Sequence, residues 1–423
     1  MKNSKLIIIA TTLCFALFFI SSMSHALSPE TELLLKLLEK KGVITTDEAA
    51  ALKQEIETAA PKAIDKETIK AEIKREITDE LKAEGGPLAG IQDNVTISGK
   101  VEIDYQYLDH RDRTNKNSDG TSDLYISTVE LGIEAVVNES ATANIIFKAE
   151  NIDKSDNGTD NNSVDDSPEK VLFDEATITI FNQEKCPFYA VLGKRGQPFG
   201  NFFTHTISNP ITKSAYEIAT TGVTLGYAPA DLYELDLSFS LYKGEKVMGQ
   251  VSGIGGRQTR NGDHVETDDV ESYIANLSLQ PVNGLTIGAA FNSEPGYESR
   301  NNTINAFAEF SLAGFTLDCE YFAAAKREKF SDNKTCKEKA WAAGLAYKIT
   351  EPLEIAARYE TFDNDRDTDL NGDIDYTLTV GANYEILDSV TLMGEYRRLQ
   401  EKATNSSYEK TANEYNLRMG IEF

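Results

Sequence analysis

From residue 95 onward, apolar and polar side chains alternate with a period of two. Val95, Ile97, Val101, Ile103, Tyr105 and Tyr107 interleave with Thr96, Ser98, Lys100, Glu102, Asp104 and Gln106. Successive side chains of a strand point to opposite faces, so this is a strand with one apolar and one charged face. The pattern recurs in Leu131, Ile133 and Ala135 against Glu130 and Glu134, in Ile145 and Phe147 against Asn144, Lys148 and Glu150, and in Leu353, Ile355, Ala357 and Tyr359 against Glu354, Arg358 and Glu360. A strand at 232–243 carries Tyr233, Leu235, Leu237, Phe239 and Leu241 on one side, and one at 374–384 carries Ile374, Tyr376, Leu378, Val380 and Ala382. About 16 such segments run from 95–108 to 411–423. Most approach the ~9–11 residues that a tilted strand needs to cross a bilayer.

The connections alternate in length. Those at 138–140, 228–231, 313–314, 348–352 and 385–389 are short, whereas 109–122, 153–169, 243–269, 324–338 and 362–373 are long and polar. Short turns on one side and long loops on the other, around an even number of strands, predict an all-β transmembrane barrel of about 16 antiparallel strands over residues 87–423. A soluble sandwich also alternates, but it does not give so many strands with a charged second face and no covering layer. Tyr105, Tyr107, Tyr125, Tyr227, Tyr242, Tyr347, Tyr359, Tyr384 and Tyr396 near strand ends are candidates for interfacial girdles. In the last strand Tyr415, Leu417, Met419, Ile421 and Phe423 alternate up to the C-terminus. A terminal Phe in that setting resembles the signal read by barrel-assembly machinery.

The first 86 residues read differently. Lys2 and Lys5 precede an apolar run from Leu6 to Ile20, and Ser24-His25-Ala26 offers small residues for cleavage, so residues 1–26 are expected to be a signal peptide. Residues 27–86 carry helical signals. Leu33, Leu34, Leu37 and Leu38 form a stripe, Thr45 and Glu48 fit a capping box, and Ile69, Ile73, Ile77 and Leu81 recur every four residues. So narrow a stripe needs partner helices, which predicts a short periplasmic coiled coil ahead of the barrel. Gly85-Gly86-Pro87 marks the boundary.

Charge narrows the function. Lys plus Arg number 42 against 68 Asp plus Glu, a formal charge of −26, and loss of two lysines with residues 1–26 makes it −28. Nucleic acid is therefore excluded as a partner, because that role needs basic surface to neutralise phosphates. A mean hydropathy of −0.37 argues against a bundle of membrane helices, though not against a barrel, where only alternate residues meet lipid. Beyond Cys14 of the leader there remain Cys186, Cys319 and Cys336, whose spacing fits no zinc pattern; a Cys319–Cys336 bridge would pin one loop. The histidines, His25, His110, His205 and His264, recur in no Ser/His/Asp arrangement, so no enzyme and no cofactor is expected.

The predicted inner face carries Lys100, Glu102, Asp104, Glu130, Glu134, Lys148, Glu150, Glu354, Arg358, Glu360, Glu395, Arg397 and Arg418. Mixed charges of this kind require water or partners, and about 16 strands enclose an aqueous channel. Passive passage of small solutes follows, with more acids than bases on the wall. One connection stands apart. Lys194 and Arg195 lead into Pro198, Phe199, Gly200, Asn201, Phe202 and Phe203, then Ile207-Ser208-Asn209-Pro210. Cations, glycines and aromatics together predict a segment folded into the lumen as a constriction, with Lys194 and Arg195 at its base. Asp367, Asp369, Asn371 and Asp373 match the opening of a calcium loop, but Leu378 stands where the closing Glu belongs, so an acidic hairpin loop is the expectation; divalent ions bridging it to lipopolysaccharide are the alternative.

The Gly193-Lys194-Arg195 stretch with Pro198-Phe199-Gly200-Asn201-Phe202 and Ile207-Ser208-Asn209-Pro210 resembles the corresponding segment of LbtU-type siderophore porins, and Glu32 to Leu38 with Gly42-Val43-Ile44-Thr45 resembles their helical start. Phosphate-selective porins share a similar start, but their cationic pores suit this acidic chain poorly. The resemblance implies an outer-membrane barrel, trimeric as porins are, that takes up a ferric siderophore or comparable small molecule. A structural tether of the outer membrane is the remaining alternative, allowed by the helical leader.

Overall fold

The computed structural model describes residues 94–112, 120–155, 170–253, 269–296, 299–329, 335–365, 373–402 and 410–423. The leader, the helical segment and Asp367, Asp369 and Asn371 lie outside these residues. Among the described residues sixteen strands follow one another. They are β1 (Val95–Asp112), β2 (Thr121–Asn138), β3 (Ala141–Ile152), β4 (Leu172–Asn182), β5 (Cys186–Gly196) and β6 (Ala219–Tyr227). β7 (Asp236–Tyr242), β8 (Ser272–Val282), β9 (Leu285–Glu294), β10 (Asn301–Leu312) and β11 (Phe315–Lys326) come next. β12 (Lys339–Thr350), β13 (Leu353–Asp363), β14 (Ile374–Leu387), β15 (Val390–Glu401) and β16 (Lys410–Glu422) complete the set. Each pairs antiparallel with its neighbours, and β1 pairs with β16, so the sheet closes into a barrel. Two short helices, α1 (Ile211–Tyr216) and α2 (Val247–Gly253), lie in the connections after β5 and β7.

Turns at 139–140, 183–185, 228–235, 283–284, 313–314, 351–352 and 388–389 close one end, where β1 starts and β16 stops. The other connections, most of them longer, join the strands at the opposite end. The alternation of lengths thus places both barrel termini together. The outward face is apolar all round: Ile103, Leu131, Ile178, Leu225, Phe239, Leu317, Leu345, Val380 and Leu417 are exposed there, as a hydrocarbon-facing belt requires. Among the described residues no helix is long and apolar enough to cross a membrane, and the crossing falls to strands.

Two bulges change the parity read from the sequence. Between β1 and β2 the register shifts after Glu102/Ile103, where two residues oppose one. Tyr125 is thereby turned from the expected outer face to the inside, where it is buried. A shift between Ile374 and Tyr376 likewise turns Ile374 inward. Tyr242 needs no bulge: it shares parity with Ser238 and Ser240, is buried, and its hydroxyl donates to Asn292 Oδ1 at 2.6 Å. Tyr125 and Tyr242 are therefore not girdle residues. β7 also starts later than expected, because Tyr233 and Glu234 adopt φ of 52° and 50° in the turn. Cys319 and Cys336 are not bridged: Cys319 is exposed on β11, and Cys336 is buried in the connection before β12.

The last residue extends the β1–β16 ladder that closes the barrel. Phe423 N–H donates to Gly99 O at 3.0 Å and Gly99 N–H to Phe423 O at 2.9 Å. The Phe423 ring covers Gly99 so closely that a Cβ there would lie 2.3 Å from it. Gly99→Val is therefore expected to lower the temperature at which the barrel loses its compact mobility on SDS gels. Phe423→Ala should lower it by a similar amount, about 1 kcal/mol for a lost cross-strand pair, because a Cβ at Gly99 meets only the far end of an exposed ring. Unchanged melting of the Gly99 variant would contradict this closure.

Candidate functional site

The connection 197–218 after β5 lies inside the barrel and is bonded to strands on the far wall. Asn201 N–H donates to Glu320 Oε1 at 2.7 Å and Phe202 N–H to Glu320 Oε2 at 3.2 Å. Ser208 N–H donates to Glu395 Oε2 at 2.8 Å, Ile211 N–H to Glu360 Oε1 at 2.6 Å, and Asn383 Nδ2 to His205 O at 2.8 Å. His205 Nδ1 lies 3.2 Å from Glu354 Oε1. A segment without regular structure inside a barrel leaves its backbone groups unpaired unless the wall supplies partners. Carboxylates of β11, β13 and β15 do so here.

Aromatic packing fixes the first half of the segment. Gly200 has φ of +99°, and a Cβ there would lie 2.6 Å from the Phe202 ring and 2.7 Å from that of Phe322. The chain turns at Gly200 and sets Phe199, fully buried, edge-on to Phe322 at 5.3 Å, with Phe202 stacked on the same ring at 5.7 Å. Tyr216 of α1 stacks on Phe322 at 4.4 Å. Phe203 meets Phe307 at 6.2 Å, and Pro198 is half-buried. Around Phe322 grows an apolar cluster of Ile211, Ile218, Tyr242, Val247, Val251, Ile274, Phe362 and Ile374. The inner space is therefore not wet throughout. The segment and α2 fill part of it with a dry core, which the reading of a polar inner face did not foresee. One signal for it exists: Phe322, Ile274 and Phe362 are apolar residues at the parity otherwise taken by polar ones.

The open space lies on the other side of the segment. A cavity of about 680 Å³ is lined by Ile207, Ser208 and Asn209 on the segment and by Asp104, Tyr125, Lys154, Arg397, Glu414 and Arg418 among the facing residues. Charges on that wall are paired. Arg418 Nε and Nη2 hold Asp104 at 2.7 and 2.8 Å, and its Nη1 lies 3.2 Å from Glu102. Arg397 Nη1 lies 3.2 Å from Glu414 Oε2. Lys100 pairs with Glu102 at 2.8 Å and Lys148 with Glu150 at 3.0 Å. In the register Glu130 stands between Lys100 and Lys148, and Glu134 opposite Asn144. Lys154 sits over the Tyr125 ring at 4.5 Å.

The predicted residues separate into groups. Phe199, Asn201 and Phe203 tie the segment to the far wall. Arg358 and Glu360, 3.1 Å apart, are buried beneath the segment and are not among the residues that line this cavity. Lys194 and Arg195 are adjacent on β5 and so point to opposite faces. Arg195 reaches inward to Thr224 Oγ1 at 3.1 Å, whereas Lys194 has the outward parity of Leu192 and donates to the Phe173 carbonyl. Only Arg195 of the pair serves the inner wall. Asp373 accepts from Asn364 N–H at 2.6 Å and so ties the two ends of its connection together. Glu320 and Phe322 were not singled out in the sequence, where each is one more position in an alternating strand, whereas Glu395, expected on the inner face, bonds the segment at Ser208.

A closed 16-strand barrel with an apolar outside, charged inner wall and infolded third long connection defines a pore-forming protein of the porin class. Residues 83–404 match the Gram-negative porin family, and the chain belongs to that family. Its fold is similar to the outer membrane channel DcaP of Acinetobacter baumannii (TM-score 0.59, 13% identity, covering 78% of this chain and 97% of that one). It is also similar to Pseudomonas putida OprB (TM-score 0.56, 10% identity, 80% and 97%) and to an anion-selective porin from Comamonas acidovorans (0.54, 13%, 78% and 99%). In sequence it is similar to UPF0422 proteins of Coxiella burnetii (24% identity over 170 residues, 38% of this chain and 36% of the relative) and Legionella pneumophila subsp. pneumophila (26% over 163 residues, 38% and 28%). The match spans about a third of the length of these relatives. Family and fold together indicate an outer-membrane porin.

Phe322→Ala removes the ring on which three aromatics of the segment pack, a loss of about 3–5 kcal/mol at a buried site. The barrel should persist while chymotrypsin gains a cut near Phe202 and Phe203. Equal protection of variant and wild type in limited proteolysis would contradict the packing described.

Proposed function

We propose that this porin admits small hydrophilic solutes by passive diffusion past the face formed by residues 207–209 and the Arg397–Arg418 wall. The observation that carries the reading is the cavity between them, bounded on one side by the neutral segment and on the other by alternating carboxylates and guanidinium groups. Solutes in such a passage are selected by width and charge. Inward carboxylates such as Glu102, Asp104, Glu130, Glu134, Glu150, Glu354, Glu395 and Glu414 outnumber the inward cations Lys100, Lys148, Arg195, Arg358, Arg397 and Arg418, which favours cations. An anion-selective identity is the competing reading, since Arg397, Arg418 and Lys154 all border the cavity.

The finer reading is uptake of a ferric siderophore. It rests on the likeness of the 193–210 motif to LbtU-type porins and on a cavity within the ~300–1,000 Å³ that small-molecule sites occupy. Assembly as a trimer, insertion by barrel-assembly machinery and contact with lipopolysaccharide belong to the same reading, with the helical N-terminus in the periplasm.

Reconstitution in planar bilayers tests the central proposal. The protein is expected to conduct, with a reversal potential in a salt gradient that reports cation preference. Arg418→Gln leaves Asp104 without its guanidinium while Glu102 keeps Lys100, and the cation-to-anion permeability ratio should rise on the order of fivefold, the factor that ~1 kcal/mol of charge interaction produces. Anion preference in the wild type would favour the competing identity, and absence of conductance would favour a structural tether. Growth of a deletion strain on ferric chelates under iron limitation decides the siderophore reading.

A further inference from the structure

Arg358 is a buried guanidinium on β13 that does not line the cavity, yet it makes more hydrogen bonds to the infolded segment than any other described side chain. Its Nη1 donates to Thr204 Oγ1 at 2.9 Å and Thr206 Oγ1 at 2.6 Å. Its Nη2 donates to Ser208 O at 2.8 Å and Ser208 Oγ at 3.1 Å. Its Nε faces Glu360 Oε2 at 3.1 Å, and the other oxygen of Glu360 accepts Ile211 N–H. One ion pair therefore holds both sides of the Ile207–Asn209 face: residues 204–208 through the arginine and residue 211 through the glutamate. Glu395 adds a third tie at Ser208 N–H and Oγ. These are charge-assisted bonds in a water-poor setting, and a planar fork with five donors satisfies several oxygens at once where an ammonium cannot.

We propose that Arg358 is a positioning residue that sets the width of the passage without touching the solute. Hydrophobic packing around Phe322 fixes the segment up to Phe203. From Thr204 to Pro210 the chain has no regular structure, and the described ties are polar. Loss of the guanidinium fork frees the 204–208 stretch to move relative to the Arg397–Arg418 wall while the Phe322 stack and the barrel stay in place. The inference rests on the porin reading and assigns a residue that governs its size limit.

The test compares wild type, Arg358→Gln and Arg358→Lys in planar bilayers, reading single-channel conductance and the exclusion of polyethylene glycols of graded size, with heat-modifiable gel mobility as the fold control. Arg358→Gln is expected to change conductance by about twofold and to admit larger polymers, because pore width sets passage. Arg358→Lys should recover part of the wild-type limit. If Arg358→Gln does not fold, Thr206→Val with Ser208→Ala removes hydroxyl partners from the segment side and should widen the limit in the same direction. Folded variants with wild-type conductance and wild-type polymer exclusion overturn the proposal. A wild-type protein that carries no current overturns the porin reading itself, and this inference with it.

Discussion

Hydrocarbon offers nothing to an unpaired peptide N–H or carbonyl, and each one left there costs several kcal/mol. A sheet can stand in a membrane only if its first and last strands find each other. In this chain that meeting is between β1 and β16, from Lys100 opposite Glu422 to Asp112 opposite Lys410. The terminal Phe423 exchanges two backbone bonds with Gly99 and lays its ring in the space that a glycine leaves. Everything inside the barrel presupposes this closure, because it alone separates an apolar outside from an inside where charges can persist.

The inside then poses a second problem of the same kind. The segment 197–218 has no ladder of its own, and its peptide groups must be met by the wall. The wall answers with carboxylates at Glu320, Glu360 and Glu395, the guanidinium of Arg358 and a stack of rings on Phe322. Burying Glu360 or Arg358 alone would be costly. Each is placed against the other and against the segment, so the bonds that satisfy the wall are those that hold the segment. The result is a lumen divided between a dry core and a charged cavity.

The two halves of the cavity boundary differ in character. On the wall, Arg418 with Asp104 and Arg397 with Glu414 place both signs of charge side by side. On the segment, Ile207, Ser208 and Asn209 carry no charge. In the passage we propose, selection by field falls to β1, β15 and β16, and selection by size to the segment and the side chains that hold it. The outward Lys194 takes no part in either, although it stands beside the inward Arg195.

Strand number, the sense of each strand and the face that meets lipid were legible in the sequence, because a period of two and alternating loop lengths are local properties. Residues 193–210 stood out as well, from glycines and aromatics set among acidic loops, but which wall residues would meet them did not. What could not be read was where parity breaks. Tyr125 and Ile374 turn inward only because a bulge on a paired strand shifts the count, and a bulge is a property of two strands in register, not of either one. Nor could the sequence tell that Phe322, Glu320 and Arg358 converge on one segment more than 100 residues earlier, since each is a single position in an ordinary alternation. Alternation decides which way a side chain points; only the closed barrel decides what it meets there.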